Sequence, residues 1–164
     1  MFGLDGFAPA AAALPMGLTP FEHFMQIGGA GWRIQTGRLQ DAMKASASLQ
    51  QILLRYIGVL AIQTSFTALS NAVHPVDERL ARWILMSHDR SDSDDIALTH
   101  EFLAVMLAVR RPTVTTSLHV LEGNHFIQAE RGYITVINRR GLAEFAGDAY
   151  GAPEAEYRRL IVPL

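Results

Sequence analysis

The sequence predicts a mainly α protein with a small β wing (α+β), in which a long helix precedes a C-terminal domain of short helices and a hairpin. Three observations lead to this prediction. Apolar residues recur at helical spacing through a long stretch that contains no proline. Near residue 110, two short amphipathic segments are separated by a brief turn. Two short β-type segments then flank a Glu-Arg-Gly turn.

The composition bounds the possible functions. The chain has 164 residues, of which 49% are hydrophobic, so it can bury the core of one or two small domains. It contains no cysteine, which excludes disulfides and thiolate metal sites within the chain. The net charge is -2, so any nucleic-acid surface must be local. No uninterrupted apolar run reaches the roughly 18 residues of a membrane span, and we expect a cytoplasmic protein without a membrane partner.

Residues 1–38 are rich in glycine, alanine and proline and show no long period, which indicates the remnant of a β-domain or a loosely packed arm. Residues 39–72 contain no proline and only Gly58 as glycine, and they predict one long helix. A helix of about 30 residues would be roughly 45 Å long, too long for the inside of so small a domain. We therefore favour a dimer interface, with packing on its own domain as the alternative.

Residues 73–90 predict a second helix after Pro75, with Leu80, Trp83, Ile84 and Ser87 on its buried side. The polar segment "HDRSDSDD" follows, and we interpret it as a solvated loop. The spacing of its acids does not fit a calcium loop, so no metal site is predicted.

The segment "LTHEFLAVMLAV" predicts a helix that Thr99 caps, with Leu103, Met106 and Leu107 buried. After a short turn, Pro112 marks the start of another helix, because proline is tolerated at the first helical position. Two short helices joined in this way form a helix-turn-helix. The second helix has an inward face of Val114, Leu118 and Leu121, and an outward face of Pro112, Thr115, Thr116 and His119.

The segment "FIQAERGYITVI" predicts two strands around the turn Glu130-Arg131-Gly132, which completes a winged helix. Between Arg110 and Arg140 there are five arginines and two glutamates, so this part is basic while the rest of the chain is acidic. Threonine and arginine at the start of a helix suit contacts with bases and phosphates. The predicted DNA-binding residues are Arg110, Arg111, Thr113, Thr115, Thr116, His119 and Arg131.

Two other function classes compete with DNA binding. An enzyme is not expected, because the six histidines form no recognisable pair with a nucleophile or metal spacing, so no catalytic residue and no cofactor are predicted. A protein-interaction module is the stronger alternative, since winged helices also bind proteins and a pair of surface arginines is common.

The segments "ERLARWILMSHDR", "LTHEFLAVMLAVRRPTVTTSLHVLE" and "ERGYITVINRRGL" resemble the CRP/FNR family of bacterial transcription regulators, and the resemblance covers roughly Gln40 to Leu142. It implies a homodimer on a two-fold symmetric operator, with RNA polymerase as a further candidate partner. It also implies a division into a β-roll sensor remnant (1–38), a dimerisation helix (39–72) and a winged helix-turn-helix domain (73–164). The implied dimer-interface residues are Leu49, Ile52, Leu53, Tyr56 and Leu60.

The chain also departs from the family pattern. Pro112 and Thr116 replace a glutamate and a second arginine of the recognition helix, so the operator should differ from the best-known one. Ala108 and His125 stand where glycines are common, and each costs about 1 kcal/mol if its φ is positive. The phosphate-binding signature of cyclic-nucleotide pockets is absent from the sequence, so we predict no cyclic-nucleotide response. The chain is then a shortened constitutive regulator, or a product that lacks its sensor and pairs with a full-length relative.

Overall fold

Two helices occupy the region for which one long helix was predicted. They are α1 (Thr36–Ala45) and α2 (Ala47–Val73) in the computed structural model, which describes residues 1–3, 6–16 and 19–161. Ser46 separates them with φ of -134°, and its hydroxyl accepts the N–H of Leu49 at 3.2 Å. A serine in this conformation is a typical N-cap, so a local side-chain contact starts α2 and ends the continuity with α1.

The residues before α1 have little regular structure in the described ranges 1–3, 6–16 and 19–35. A 3-10 turn at Ala10–Ala13 is the element assigned there, and the chain from 21 to 35 is almost entirely exposed. No strand is formed in residues 19–35. Short segments without strand partners cannot satisfy their backbone groups as a sheet does.

Helix α2 is more apolar than the sequence analysis allowed. It has 27 residues with a mean hydropathy of 1.5 over an 18-residue window, and 17% of that window is buried. By length and composition it is the one helix among the described residues that could cross a membrane. The search for an uninterrupted apolar run did not detect this helix. Isolated polar residues interrupt the run, although the mean hydropathy of the helix stays high. The same property suits a helix covered by another protein surface.

The C-terminal domain has five helices and a small sheet, so the predicted fold class is confirmed. The helices are α3 (Val76–His88), α4 (His100–Leu107), α5 (Arg111–Gly123), α6 (Arg139–Ala146) and α7 (Ala152–Leu160). The strands β1 (Asp95–Ile96), β2 (Ile127–Glu130) and β3 (Tyr133–Val136) form an antiparallel sheet in the order β1-β3-β2. Strand β1 and the helices α6 and α7 had no counterpart in the sequence analysis, because they are short or follow the recognised motifs.

One core, built from residues of α3, α4, α5 and α6 with the sheet, holds this domain together. The buried side predicted for α3 is confirmed at Leu80, Ile84 and Ser87, while Trp83 is partly buried. Ile134 of β3 pairs with Ile96 of β1 in this core. Burial of such side chains is the main favourable term in folding, so this domain carries its own stability.

A ladder of polar contacts joins α2 to the C-terminal domain. Three arginines, two in α3 and one just after it, each donate a hydrogen bond to a polar side chain of α2. A histidine at the end of α2 also lies within hydrogen-bond distance of an aspartate that follows α6. Charge-assisted hydrogen bonds of this kind fix geometry as well as adding stability. The pairs are Arg90–Gln63 (2.9 Å), Arg82–Thr67 (2.9 Å), Arg79–Asn71 (3.1 Å) and His74–Asp148 (3.0 Å).

Candidate nucleic-acid interface

Helix α4 is the first helix of the predicted motif, and the structure confirms its predicted cap and two of the three side chains predicted to be buried. The hydroxyl of Thr99 accepts the N–H of Phe102 at 3.2 Å, so Thr99 is the N-cap. Leu103 and Leu107 are fully buried, while Met106 is partly exposed. This packing fixes α4 against the core and thereby fixes the position of the turn that follows it.

The turn between α4 and α5 is three residues long and begins at Ala108. Ala108 ends α4 in the left-handed conformation, with φ of 53° and ψ of 45°. The guanidinium of Arg79 donates to the carbonyl oxygen of Leu107, one residue earlier, and also to Asn71 of α2. Arg79 therefore satisfies a C-terminal carbonyl of α4 and connects the turn to the long helix.

Helix α5 begins at Arg111, and Pro112 is its second residue rather than its first. Val114, Leu118 and Leu121 are all buried, as predicted. Proline has no N–H to leave unsatisfied in the first turn, and the three buried side chains hold the helix in place. Packing thus compensates for the weak helix propensity of the threonines.

The first turns of α5 present polar side chains to solvent. Arg110, Thr113, Thr116 and His119 are exposed, and the hydroxyl of Thr116 donates to the carbonyl oxygen of Pro112 at 3.2 Å. That internal bond leaves the hydroxyl oxygen free to accept another hydrogen bond. Short side chains that face solvent let another surface approach the helix closely.

Thr115 does not share this exposed position. It is half-buried, and its hydroxyl lies 3.1 Å from Nδ1 of His100 at the start of α4 and 3.3 Å from the carbonyl oxygen of Arg111. The predicted outward face therefore contains a residue that joins the two helices. Its structural role is to set the angle between α4 and α5.

Arg111 is exposed but has an acidic partner. Its Nε lies 2.9 Å from Oε1 of Glu101, and both side chains are about two-thirds exposed, at 63% and 66%. An ion pair with this exposure contributes little to stability. It does hold the guanidinium beside the entrance of α5 and lowers the local positive charge.

The wing is formed as predicted. Strands β2 and β3 pair with Ile127 opposite Val136 and Glu130 opposite Tyr133, and Arg131 is exposed at the tip. Gly132 has φ of 86°, a conformation that side-chain-bearing residues rarely adopt. The carboxylate of Glu122 in α5 accepts the N–H of Ala129 at 2.8 Å, so α5 and the wing are fixed to each other.

A family model described as a Crp-like helix-turn-helix domain matches residues 78–145, which span α3 to α6. Residues 78–145 are therefore similar to that domain, and we call them the Crp-like domain. This confirms the resemblance to the CRP/FNR family that the sequence motifs predicted. No curated protein matches the chain.

Two solved structures share the fold over about 70% of this chain. A CRP-family transcriptional regulator from Thermus thermophilus matches with a TM-score of 0.57 and 21% identity, over 69% of this chain and 60% of that chain. A transcriptional regulator of the CRP/FNR family from Eubacterium rectale matches with a TM-score of 0.52 and 20% identity, over 70% of this chain and 53% of that chain. The present chain therefore spans little more than half the length of these proteins.

Both positions where the Crp-like pattern prefers glycine have positive φ in this chain. Ala108 has φ of 53° and His125 has φ of 57°. A left-handed conformation costs a residue with a Cβ roughly 1–2 kcal/mol relative to glycine. The positive φ values at Ala108 and His125 therefore confirm the backbone strain that the sequence predicted for these two positions.

The positive charge that the sequence assigned to the DNA-facing side is partly neutralised. Arg139 lies 2.5 Å from Asp89, and Arg140 lies 2.8 Å from Glu144. The hydrogen bond with Asp89 raises the pKa of Arg139, and burial raises the pKa of Tyr150, which donates to the same carboxylate at 2.7 Å. Of the five arginines counted in the sequence, only Arg110 and Arg131 have no acidic partner among the described residues.

Sequence reasoning missed four residues that shape this Crp-like domain. Arg79 ties the turn to α2, His100 bonds to Thr115, Glu101 pairs with Arg111 and Glu122 binds the wing. Only Glu101 gave a usable signal, as an acid near a basic helix start. Arg79 and His100 act across 28 and 15 residues, and Glu122 binds a backbone N–H seven residues along the chain, so no side-chain pattern reports these three contacts.

Proposed function

We propose that the chain is a DNA-binding transcription regulator that acts as a homodimer and places α5 in the major groove of a two-fold symmetric operator. The observation that carries the proposal is the exposed start of α5, with Arg110 and Arg111 at its entrance, within a Crp-like helix-turn-helix domain. In a helix-turn-helix the N-terminal residues of the second helix contact base edges. Exposed arginine and threonine side chains at that position match this role.

The contacts divide into two kinds. Base edges would be contacted by Arg111, Thr113 and Thr116. Arg111 could bind guanine once its ion pair with Glu101 is broken. Arg110 and Arg131 would contact phosphates, the second from the tip of the wing. His119 is exposed one turn further along α5 and would reach the backbone or a base at the edge of the site. Thr115 supports the interface through His100 rather than by direct contact.

A second copy of the chain would pair along α2. Leu54 and Gln63 are nine residues apart, which is two and a half helical turns, so they lie on opposite faces. The face of Gln63 packs on its own domain, whereas the face of Leu54 is largely exposed. Residues of this outer face repeat every three to four positions, the spacing of a coiled-coil seam. They are the exposed Leu54, Ala61, Ser65, Ala68 and Ala72, with the partly buried Gly58 between the first two.

The interface residues implied by the family resemblance belong mainly to the inner face. Tyr56 is only 5% exposed, and its ring centroid lies 5.2 Å from that of Phe7 in the same chain. Leu49, Ile52, Leu53 and Leu60 are partly buried, so they remain candidates for the edges of the seam. We therefore propose that the exposed face of α2 forms the main contact with the partner copy.

Selection of binding sites from random duplex DNA by the purified chain tests the proposal. We expect a two-fold symmetric motif with half-sites about 34 Å apart, and an affinity that falls steeply with salt. Arg111→Ala should cost about 1–3 kcal/mol and relax one base position, whereas Arg131→Gln should weaken all sequences similarly. Arg140→Gln is the matched control, since that arginine is paired on α6 away from the recognition helix.

A protein-interaction role is the second candidate, and one observation favours it. Val105 on α4, Tyr133 on the wing and Ile137 after it are exposed by 71%, 56% and 59%. Exposed apolar side chains near one face are typical of protein contacts. If the folded dimer selects no DNA sequence at low salt, the DNA-binding proposal is wrong and this surface is the remaining candidate.

A further inference from the structure

A cavity of about 380 Å³ lies between α2, the end of α3 and α7, and none of its lining residues belongs to α5 or the wing. Its volume lies near the lower end of the range for small-molecule sites, about 300–1,000 Å³. Apolar and aromatic side chains form much of its wall, including Tyr56, Leu60 and Tyr157. Polar groups are contributed by Gln63, Arg90, Arg158 and Glu154. Met1 also lines the cavity, and burial and the charges of Arg90 and Arg82 lower the pKa of its amino group to about 6.

The charges around this cavity do not balance. Asp89 lines it, but both of its oxygens are occupied, one by Arg139 at 2.5 Å and the other by Tyr150 at 2.7 Å. Arg90 has only neutral acceptors, the carbonyl oxygen of Met86 at 2.8 Å and the amide oxygen of Gln63 at 2.9 Å. Among the residues that the structure describes, neither Arg90 nor Arg158 forms an ion pair.

A third arginine lies behind the cavity wall. Arg82 is only 1% exposed, and its Nε is buried without a hydrogen-bond partner. Burial lowers the pKa of Arg82, the negative charge of Glu154 opposes that shift, and Arg90 adds to it. Glu154 is thus the one acid of the described lining that is left to balance Arg82, Arg90 and Arg158. Arg82 is buried and Arg90 is partly buried, and buried cations are usually paired, so this excess of positive charge favours an anion in the cavity.

We propose that this cavity binds a small organic anion, with Arg90 and Arg158 on its acidic group and the tyrosines and Leu60 around its apolar body. A carboxylate or a similar planar anion suits a guanidinium, which can donate two parallel hydrogen bonds to it. Arg90 would then bind both the anion and Gln63. The Arg90–Gln63 hydrogen bond is the contact between α2 and the C-terminal domain that lies nearest the start of α2. The site is separate from α5 and the wing, so this proposal does not depend on DNA binding.

Fluorescence anisotropy with 2-naphthoate as the probe, on the full chain without DNA, tests the proposal. The neutral analogue 2-naphthamide has the same aromatic body and controls for hydrophobic adsorption. We expect saturable binding of the naphthoate with one molecule per chain, and at least about tenfold weaker binding of the amide, since a hydrogen bond to a charged group is the difference.

Three variants locate the site. Arg90→Gln should weaken naphthoate binding by about tenfold or more, and Leu60→Phe should weaken naphthoate and naphthamide alike by filling the cavity. Arg158→Gln changes an exposed residue of α7 and should weaken naphthoate binding by a few-fold without affecting folding. Lys44→Gln, on the exposed surface of α1, is the matched control and should leave binding unchanged.

The outcomes are decisive even if Arg90→Gln fails to fold, because the amide comparison and Arg158→Gln do not require it. Equal affinities for naphthoate and naphthamide would overturn the proposal. So would naphthoate binding that survives both Arg158→Gln and Leu60→Phe, or no binding by the folded chain up to about 10 mM, which corresponds to a negligible affinity.

Discussion

The two halves of this molecule bury their apolar residues very differently. From Leu80 to Ala146 the Crp-like domain encloses a continuous core. In the described residues before Pro75, only Ala13, Met43, Tyr56 and Val59 are buried apolar side chains. The same half exposes many large ones, including Phe21, Phe24, Met25, Trp32, Ile34, Leu54 and Leu69.

The difference indicates how each half obtains its stability. A domain that encloses its own core is stable by itself, because its apolar surface leaves water on folding. The N-terminal half leaves apolar surface in water, so its stability depends on cover from outside. A second copy of the chain along α2 supplies such cover in the function proposed above. Four predictions test this comparison, in order of decreasing effect.

Leu118→Ala should be the most destabilising change, costing about 2–5 kcal/mol, because it leaves a cavity in the enclosed core. Leu54→Ala, on the exposed face of α2, should change the stability of the monomer by less than about 0.5 kcal/mol. Urea unfolding at concentrations where the chain is monomeric measures both. Equal costs for the two variants would show that the halves do not differ as described.

Arg79→Met should cost about 1–3 kcal/mol, because it removes the donors to the Leu107 carbonyl and to Asn71 that join the two halves. Arg140→Met is the control and should be nearly neutral, since its partner Glu144 is on the same exposed helix surface. The same urea titration measures these variants. A neutral Arg79→Met would mean that packing alone holds α2 on the domain.

Leu54→Asp should raise the dimer dissociation constant by at least about tenfold, because it puts a charge in place of the largest apolar side chain of the proposed seam. Ser48→Asp lies about a third of a turn away from that face of α2 and should have little effect. Sedimentation equilibrium of both variants gives the dissociation constants. An unchanged dimer in Leu54→Asp would exclude the exposed face of α2 as the interface.

Replacing alanine by glycine should change the free energy of unfolding in opposite directions in the two halves. Ala108→Gly should stabilise the Crp-like domain by about 1 kcal/mol, because φ of 53° strains alanine and not glycine. Ala72→Gly should destabilise the monomer by about 1 kcal/mol, because glycine has more conformational freedom to lose in a helix. Chemical unfolding of the two variants, compared with the parent chain, would reveal any departure from this reversal.

The sequence was informative where structure is set by local pattern. The cap at Thr99, the buried residues Val114, Leu118 and Leu121, and the wing around Gly132 all follow from helical spacing, capping and turn chemistry. The resemblance of the motifs between Glu78 and Leu142 to the CRP/FNR family also predicted the order of these elements along the chain. The break at Ser46 could also have been read from the sequence, since serine is a common N-cap.

Other features were decided only by the tertiary structure. The apolar stripe of α2 has two possible faces. Contacts with Phe7 and Arg90 cover the face of Tyr56 and Gln63, while Leu54 remains exposed. The charge of the candidate interface is likewise set by partners far along the chain, such as Asp89 for Arg139. Local periodicity fixes which residues share a face, because it depends on backbone geometry alone. Which face is covered, and which charge is neutralised, depends on contacts between distant segments that exist only once the chain is packed.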